Sequence, residues 1–284
     1  MGKYTKTIVP LSKQSDAEIM VVDDTLIEKK RQRWVLLGRV AVFLVIFGLW
    51  EILARAGIIE TYYFSSPSRI ISTGWLYFTE QNLAADIFTT AFETIAGFVT
   101  GTIVGAIIGM SFWWNRSYAD ISEPYLIILN ALPKLALAPI VIVIFGIGYP
   151  SKIIVSFLMT VITCAISVFT GVKGIDKATE TLLYSLGATK LQVFSKVVVP
   201  ATMPSIIGCL RLNISLALSG AFIGEYISSR RGLGHIISYA SSIMNNDLIW
   251  VGIFIMAVMA MLLYGLVTLL EKWMTRHFAV LNPK

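Results

Sequence analysis

Charge is scarce in this sequence. Asp, Glu, Lys and Arg together supply 14% of 284 residues, against 56% hydrophobic side chains. A soluble fold of this length needs a charged exterior, and too little is present to cover one. Histidine is almost missing: His235 and His277 lie far apart, in no metal-ligand spacing, so no bound metal is expected. The two cysteines, Cys164 and Cys209, both fall inside apolar runs. They read as small packing residues, and no disulfide framework is expected. The sequence contains no G-x4-G-K-[ST] phosphate loop, no G-x-S-x-G and no H-E-x-x-H. ATP binding of that kind and catalysis are therefore not expected in this chain, which needs no cofactor of its own. Basic residues are not interleaved with aromatics, so nucleic acid is not an expected partner.

What the chain has is apolar length. Six runs approach or exceed the ~20 residues that cross a bilayer at about 1.5 Å each. They cover roughly 35–54, 88–112, 125–147, 152–171, 205–226 and 248–270. The expected fold is an all-α integral membrane protein, with a six-helix domain over 34–276. Pro133 and Pro139 should kink or break the third run. Flanking it are two expected tails, 1–33 and 277–284. The first ends in Lys29-Lys30-Arg31-Gln32-Arg33, and no apolar core follows the initial Met-Gly-Lys, so it does not read as a cleavable signal peptide.

The basic residues fix an expected orientation. With both termini cytoplasmic, sixteen Lys and Arg fall inside, five outside (Arg55, Arg69, Lys152, Arg230, Arg231), and Lys134 and Arg211 lie in spans. That asymmetry matches the cytoplasmic bias of basic residues in a multi-pass cell-membrane protein, and it explains the net charge of +6.

Three local patterns stand out. Gly97, Gly101, Gly105 and Gly109 recur every four residues, which lets another helix backbone approach closely. Ser156, Thr160, Thr163, Ser167 and Thr170 fall within about 80° of one another on a helix. Such a stripe either lines a water-filled path or bonds back to its own and neighbouring carbonyls. The third pattern is the segment 172–199, expected on the cytoplasmic side. Asp176 suits an N-cap, Leu182, Leu183 and Leu186 share a face, and Gly187 suits a helix end. Thr189 and Gln192 fit a capping box opening a second short helix, closed before Pro200.

Gly187, then nine residues, then Val197-Val198-Val199-Pro200 resembles the "EAA" motif of ABC importer permeases, EAA-x3-G-x9-I-x-L-P. Here Thr181-Leu182-Leu183 stands where that motif has Glu-Ala-Ala, and Glu180 sits one place early. The run from Leu132 to Pro139, Phe145-Gly146-Ile147-Gly148, Phe64-Ser65-Ser66-Pro67-Ser68, Glu225 with Gly232-Leu233-Gly234, and Asp247 resemble its nitrate, sulfonate and taurine branch. The resemblance implies a type I importer permease fold and a coupling loop, carried by Thr181, Leu182, Leu183, Leu186, Gly187 and Pro200, that docks on a separate cytoplasmic ATPase. ATP and magnesium would belong to that ATPase. It further implies a second permease copy, which we expect to be identical, an external solute-binding protein and a lipid surround.

Lys134, one turn after Asn130, could meet an anionic solute, snorkel, or pair with a partner helix. Asn130, Lys134, Thr160, Thr163, Ser167, Ser215 and Ser219 are the candidate pathway residues. The expected cargo is a small anionic or polar solute, with a pyrimidine-type vitamin precursor as the alternative. A stand-alone secondary transporter or channel would instead show an inverted repeat with paired broken helices. Within the loop, Gly187→Val and Leu183→Asp should release or uncouple the ATPase, while Lys190→Ala should be mild.

Overall fold

A computed structural model describes residues 37–279, together with 31, 34 and 35. The expected tails fall almost wholly outside them. The chain divides into two units, 1–68 and 69–284. In the first lie α1 (Leu37–Arg55) and the single turn α2 (Thr61–Phe64). Glu51, near the end of α1, accepts Arg55 Nε at 2.7 Å and the backbone N–H of Ser68 at 3.0 Å. Ser68 belongs to the start of α3 (Pro67–Glu80), where Pro67, with no N–H to leave unpaired, occupies the first position.

In the second unit, α4 (Leu83–Ser111) packs along α7 (Tyr149–Lys173), and α10 (Val199–Ile227) packs against both. α12 (Asn246–Ala279) lies against α10 and against α11 (Leu233–Ser242). Among the described residues five helices are long and apolar enough to cross a membrane. A sixth crossing requires counting a bent pair as one span: α5 (Arg116–Ala131) and the segment Lys134–Phe145, which ends in α6 (Ala138–Phe145), meet at 82°. The break falls at Leu132–Pro133, as the proline implied. Pro139 does not bend the chain further, because it sits in the first turn of α6, where a missing N–H costs nothing.

The seam between α4 and α7 explains the glycine repeat. A Cβ at Gly97 would collide with Ser156, one at Gly101 with Thr160, one at Gly105 with Cys164 and the Val161 carbonyl, and one at Gly109 with Val168. The partners on α7 also recur every four residues, so two four-residue rows interlock backbone to backbone. Behind this seam Cys164 and Cys209 meet with sulfurs 3.6 Å apart, unbridged and buried.

The segment 172–199 differs from expectation at one end. α8 (Lys177–Ser185) starts at Asp176, whose Oδ1 accepts the Ala178 N–H at 2.9 Å. It ends in a Schellman turn: Gly187, at φ +81°, donates to the Tyr184 carbonyl and Ala188 donates to that of Leu183, each at 3.0 Å. α9 (Lys190–Val193) opens with the Thr189–Gln192 capping box. It does not close before Pro200. A π-helical turn, Phe194–Val198, carries it into α10 as one helix from Lys190 to Ile227. The wider turn moves the preceding carbonyl away from the proline ring, so Pro200 is absorbed without breaking the helix.

Candidate functional site

Two ends of the second unit carry functional geometry, and a polar pocket lies between them. At one end, α8 and α9 are fastened to the end of α4 through the turn Phe112–Trp114. Glu180 accepts Trp113 Nε1 at 3.1 Å. Lys190 Nζ donates to the Trp114 carbonyl at 2.6 Å and lies over both indole rings, while Phe194 packs against them. Glu180, the acid one place early in the motif, is thus spent on holding the loop to its own chain. Lys190 does the same, so a mild effect of Lys190→Ala, as expected from the sequence, would come from the loss of these contacts.

The apolar face of this loop divides in two. Leu182, Leu186 and Leu191 are 61%, 74% and 64% exposed. Leu183 is half-buried and lines a hollow of about 290 Å3 with Leu186, Gly187, Ala188, Gln192 and Lys196. Thr181 bonds back to the Lys177 carbonyl at 2.8 Å. Pro200 borders a larger cavity of about 840 Å3 between the loop, α10 and α12, together with Asp176, Lys196 and Glu271. Exposed leucines grouped on two short capped helices form an apolar surface of the kind that marks an interaction site.

The hydroxyl stripe on α7 also divides. Ser156 and Thr160 are fully buried in the glycine seam, where Ser156 donates to the Ala217 carbonyl at 2.9 Å and Thr160 to that of Gly97 at 3.3 Å. Thr163, Ser167 and Thr170 instead line a pocket of about 430 Å3 with Asn130, Ser205 and Gly208. Lys134 Nζ donates to Asn130 Oδ1 at 2.9 Å, which ties the break after α5 to that pocket. Ser215 and Ser219 bond to carbonyls of their own helix, those of Arg211 and Ser215. The structure therefore gathers Asn130, Thr163 and Ser167, with Lys134 alongside, and separates Thr160, Ser215 and Ser219 from them. Arg211 pairs with Glu271 and lies over Tyr264, a bracing role between α10 and α12.

At the opposite end lies a polar cluster: Glu225 and Gly232-Leu233-Gly234 stand out in the sequence only through the family resemblance, with no site assigned to them, and Asp86 and Thr90 do not stand out at all. Glu225 is fully buried near the end of α10. Its Oε1 accepts Thr90 Oγ1 and its Oε2 accepts the Gly234 N–H, both at 2.7 Å. Thr90 Oγ1 in turn accepts the Leu233 N–H at 2.9 Å, and Asp86 Oδ1 accepts that of Gly232 at 2.8 Å. α11 has no cap of its own; side chains from α4 and α10 satisfy its first amides. The glycines flanking Leu233 are required here. Gly232 has φ +107°, and a Cβ on it would run into the Glu225 carboxylate; one on Gly234 would meet the Glu225 Cβ.

Glu93 and Lys152 are buried close by, 2% and 1% exposed. Lys152, counted from sequence among the outside cations, is in fact covered in the first turn of α7. An acid inside an apolar span was the available signal for Glu93, because ionisable groups are costly there and are kept for a reason.

Residues 101–276 match the family model described as the binding-protein-dependent transport system inner membrane component. The chain is 31% identical over 235 residues to the formylaminopyrimidine transport permease protein ThiX of Halalkalibacterium halodurans, covering 81% of this chain and 91% of that one. It is 28% identical over 242 residues to the taurine transport system permease protein TauC of Escherichia coli K12, covering 82% and 86%. A further relative is the riboflavin transport system permease protein RibX of Chloroflexus aurantiacus, 27% identical over 87% and 92% of the two chains. Among solved structures, the fold is similar to a chain of the inward-facing MetNI methionine ABC transporter, with TM-score 0.56 and 17% identity over 68% of this chain and 96% of that chain.

Proposed function

The chain belongs to the family of binding-protein-dependent transport system inner membrane components, and from that premise we propose that it forms half of the translocation pathway for a small polar or anionic solute. It is the permease part of an ABC importer, an integral membrane protein without enzymatic activity of its own. In the proposed assembly two copies pair in the membrane with both termini cytoplasmic. Two ATPase subunits bind ATP and magnesium below them, and a solute-binding protein docks on the far side. The pocket of Asn130, Thr163, Ser167, Thr170 and Ser205 lies on the path, with Lys134 at its edge. Relatives named for a sulfonate, a pyrimidine and a flavin favour a small polar cargo and leave its skeleton open.

One observation carries this reading. Leu182, Leu186 and Leu191 stand exposed on a loop anchored to the transmembrane bundle by Glu180 and Lys190. A rigidly held apolar surface can pass a push from a docked ATPase to α4 and α10. With ATP bound, closure of the ATPases draws these loops together and turns the pathway outward; hydrolysis resets it. The test is co-purification of the ATPase with a Leu182→Asp, Leu186→Asp variant, and we expect the ATPase to be lost while the permease remains in the membrane. Retention of the ATPase together with full transport would remove this loop as the coupling element.

A further inference from the structure

Two cavities of the second unit meet at one residue. The pocket of about 430 Å3 is lined by Asn130, by Thr163, Ser167 and Thr170 of α7, and by Ser205 and Gly208 of α10. The cavity of about 840 Å3 beside α8 has Gly174, Lys196, Pro204, Gly208 and Glu271 in its wall. Gly208 is the one residue common to both among the described residues. The two hollows follow each other along the same helices. On α7 the pocket ends at Thr170 and the cavity begins at Gly174, one turn or ~6 Å further on. On α10, Ser205 lies ~60° to one side of Gly208 and Pro204 ~40° to the other. Gly208 thus stands on the ridge between the hollows, at the neck that joins them.

A glycine inside a helix costs about 1 kcal/mol relative to alanine, so each one needs a reason. Three lie within α10. A Cβ at Gly220 would come within 2.7 Å of the Ser156 backbone, and one at Gly224 within 3.1 Å of the Lys152 side chain. Both are glycines because α7 packs against them. Gly208 is different. It is exposed, a Cβ there would meet nothing within 4 Å, and its φ is not positive. Neither packing within the chain nor backbone conformation accounts for it. Clearance does, because any side chain at this position would project into the neck.

We propose that Gly208 is a specificity-determining residue of transport: it keeps open the neck through which solute leaves the pocket of Asn130 and Thr163 for the cavity beside α8, and so limits the width of what can pass. The proposal rests on the importer reading and adds to it a route of exit. Selection at the neck is by cross-section, since a glycine offers no side chain to bind with. Polar groups in the pocket recognise the solute, and the neck sizes it.

Thiol labelling tests this in inside-out vesicles holding the assembled complex without nucleotide, where a membrane-impermeant methanethiosulfonate reagent acts from the cytoplasmic side. The parent supplies the blank, because Cys164 and Cys209 are buried. Gly208→Cys should react within about threefold of the rate of Lys196→Cys, which opens on the cavity beside α8. Protection of Gly208→Cys to the level of the blank would mean that the glycine packs against another subunit, and would overturn the proposal. Thr163→Cys reports on the pocket beyond the neck. Its rate should change little with Gly208→Ala, fall roughly tenfold or more with Gly208→Leu, and reach the blank with Gly208→Phe. Lys196→Cys, on the near side of the neck, should react alike in all three. Equal rates at Thr163→Cys across the series overturn the proposal.

The alanine variant guards against a mere packing effect. Gly208→Ala should be at least as stable as the parent, because its Cβ meets nothing and alanine favours the helix. Loss of stability, or of the two-copy complex, would make this a packing glycine and refute the neck. Co-purification of the ATPase is followed on the same preparations. Retained ATPase with flat labelling rates refutes the neck and leaves the importer reading standing. A permease that brings no ATPase refutes that reading, and the proposal with it.

Discussion

The α4–α7 seam and the α8–α9 loop use the same residue for opposite ends. In the seam, Gly97, Gly101, Gly105 and Gly109 are glycines because another helix occupies the space a side chain would need. In the loop, Gly187 has open space around it and is glycine because its φ of +81° is costly for any other residue. The first is a constraint of packing and the second of backbone. One region is dry and interlocked; the other presents leucines to solvent. The proposed coupling uses both, since a push delivered to the exposed loop would reach the membrane only through parts that do not give way.

The largest expected effect comes from breaking the seam. Gly105→Val drives a branched side chain into Cys164 and the Val161 carbonyl, where neither α4 nor α7 can yield without losing its neighbours. We expect ~3 kcal/mol of destabilisation or more, seen as loss of monodisperse protein in detergent chromatography. A well-folded Gly105→Val would mean that the helices are not in backbone contact.

Gly187→Val should separate folding from coupling. Membrane insertion and detergent stability should stay near the parent's, because nothing lies within reach of the new side chain. The left-handed turn should fail, misaiming α8 against α9, and transport in vesicles should fall by about tenfold or more while the spans remain intact. Loss of the whole protein instead would place the glycine's importance in folding.

The hydroxyls of α7 sharpen the comparison within one helix. Thr160→Val removes a buried donor from the Gly97 carbonyl and should cost ~1–2 kcal/mol in thermal unfolding. Thr163→Val, in the pocket, should change stability by less than ~0.5 kcal/mol and alter uptake. Equal stability losses at the two positions would refute the division of the stripe.

The smallest effect on coupling is expected at Lys190. Lys190→Ala loses a hydrogen bond to the Trp114 carbonyl and its place over two indoles, about 1 kcal/mol at an exposed site. The fraction of ATPase retained during purification should drop by a few-fold. No change at all would mean that these contacts do not hold the loop in place.

The sequence alone determined that this chain lives in a membrane, because scarce charge and six apolar runs admit no other solvent. Its glycine repeat, proline break, Asp176 cap, Gly187 turn and Thr189–Gln192 box were all legible, since each depends on residues within a turn or two of one another. Tertiary structure decided the rest. Helical periodicity places Ser156 through Thr170 on one stripe but cannot say that α4 covers its first half and leaves the second open. Nor can it bring Asp86 and Thr90 to amides more than 140 residues later, or show that Lys152 is covered. Local bonds are written in local spacing. Which faces meet is set by the packing of whole helices, where each span's choice depends on every other.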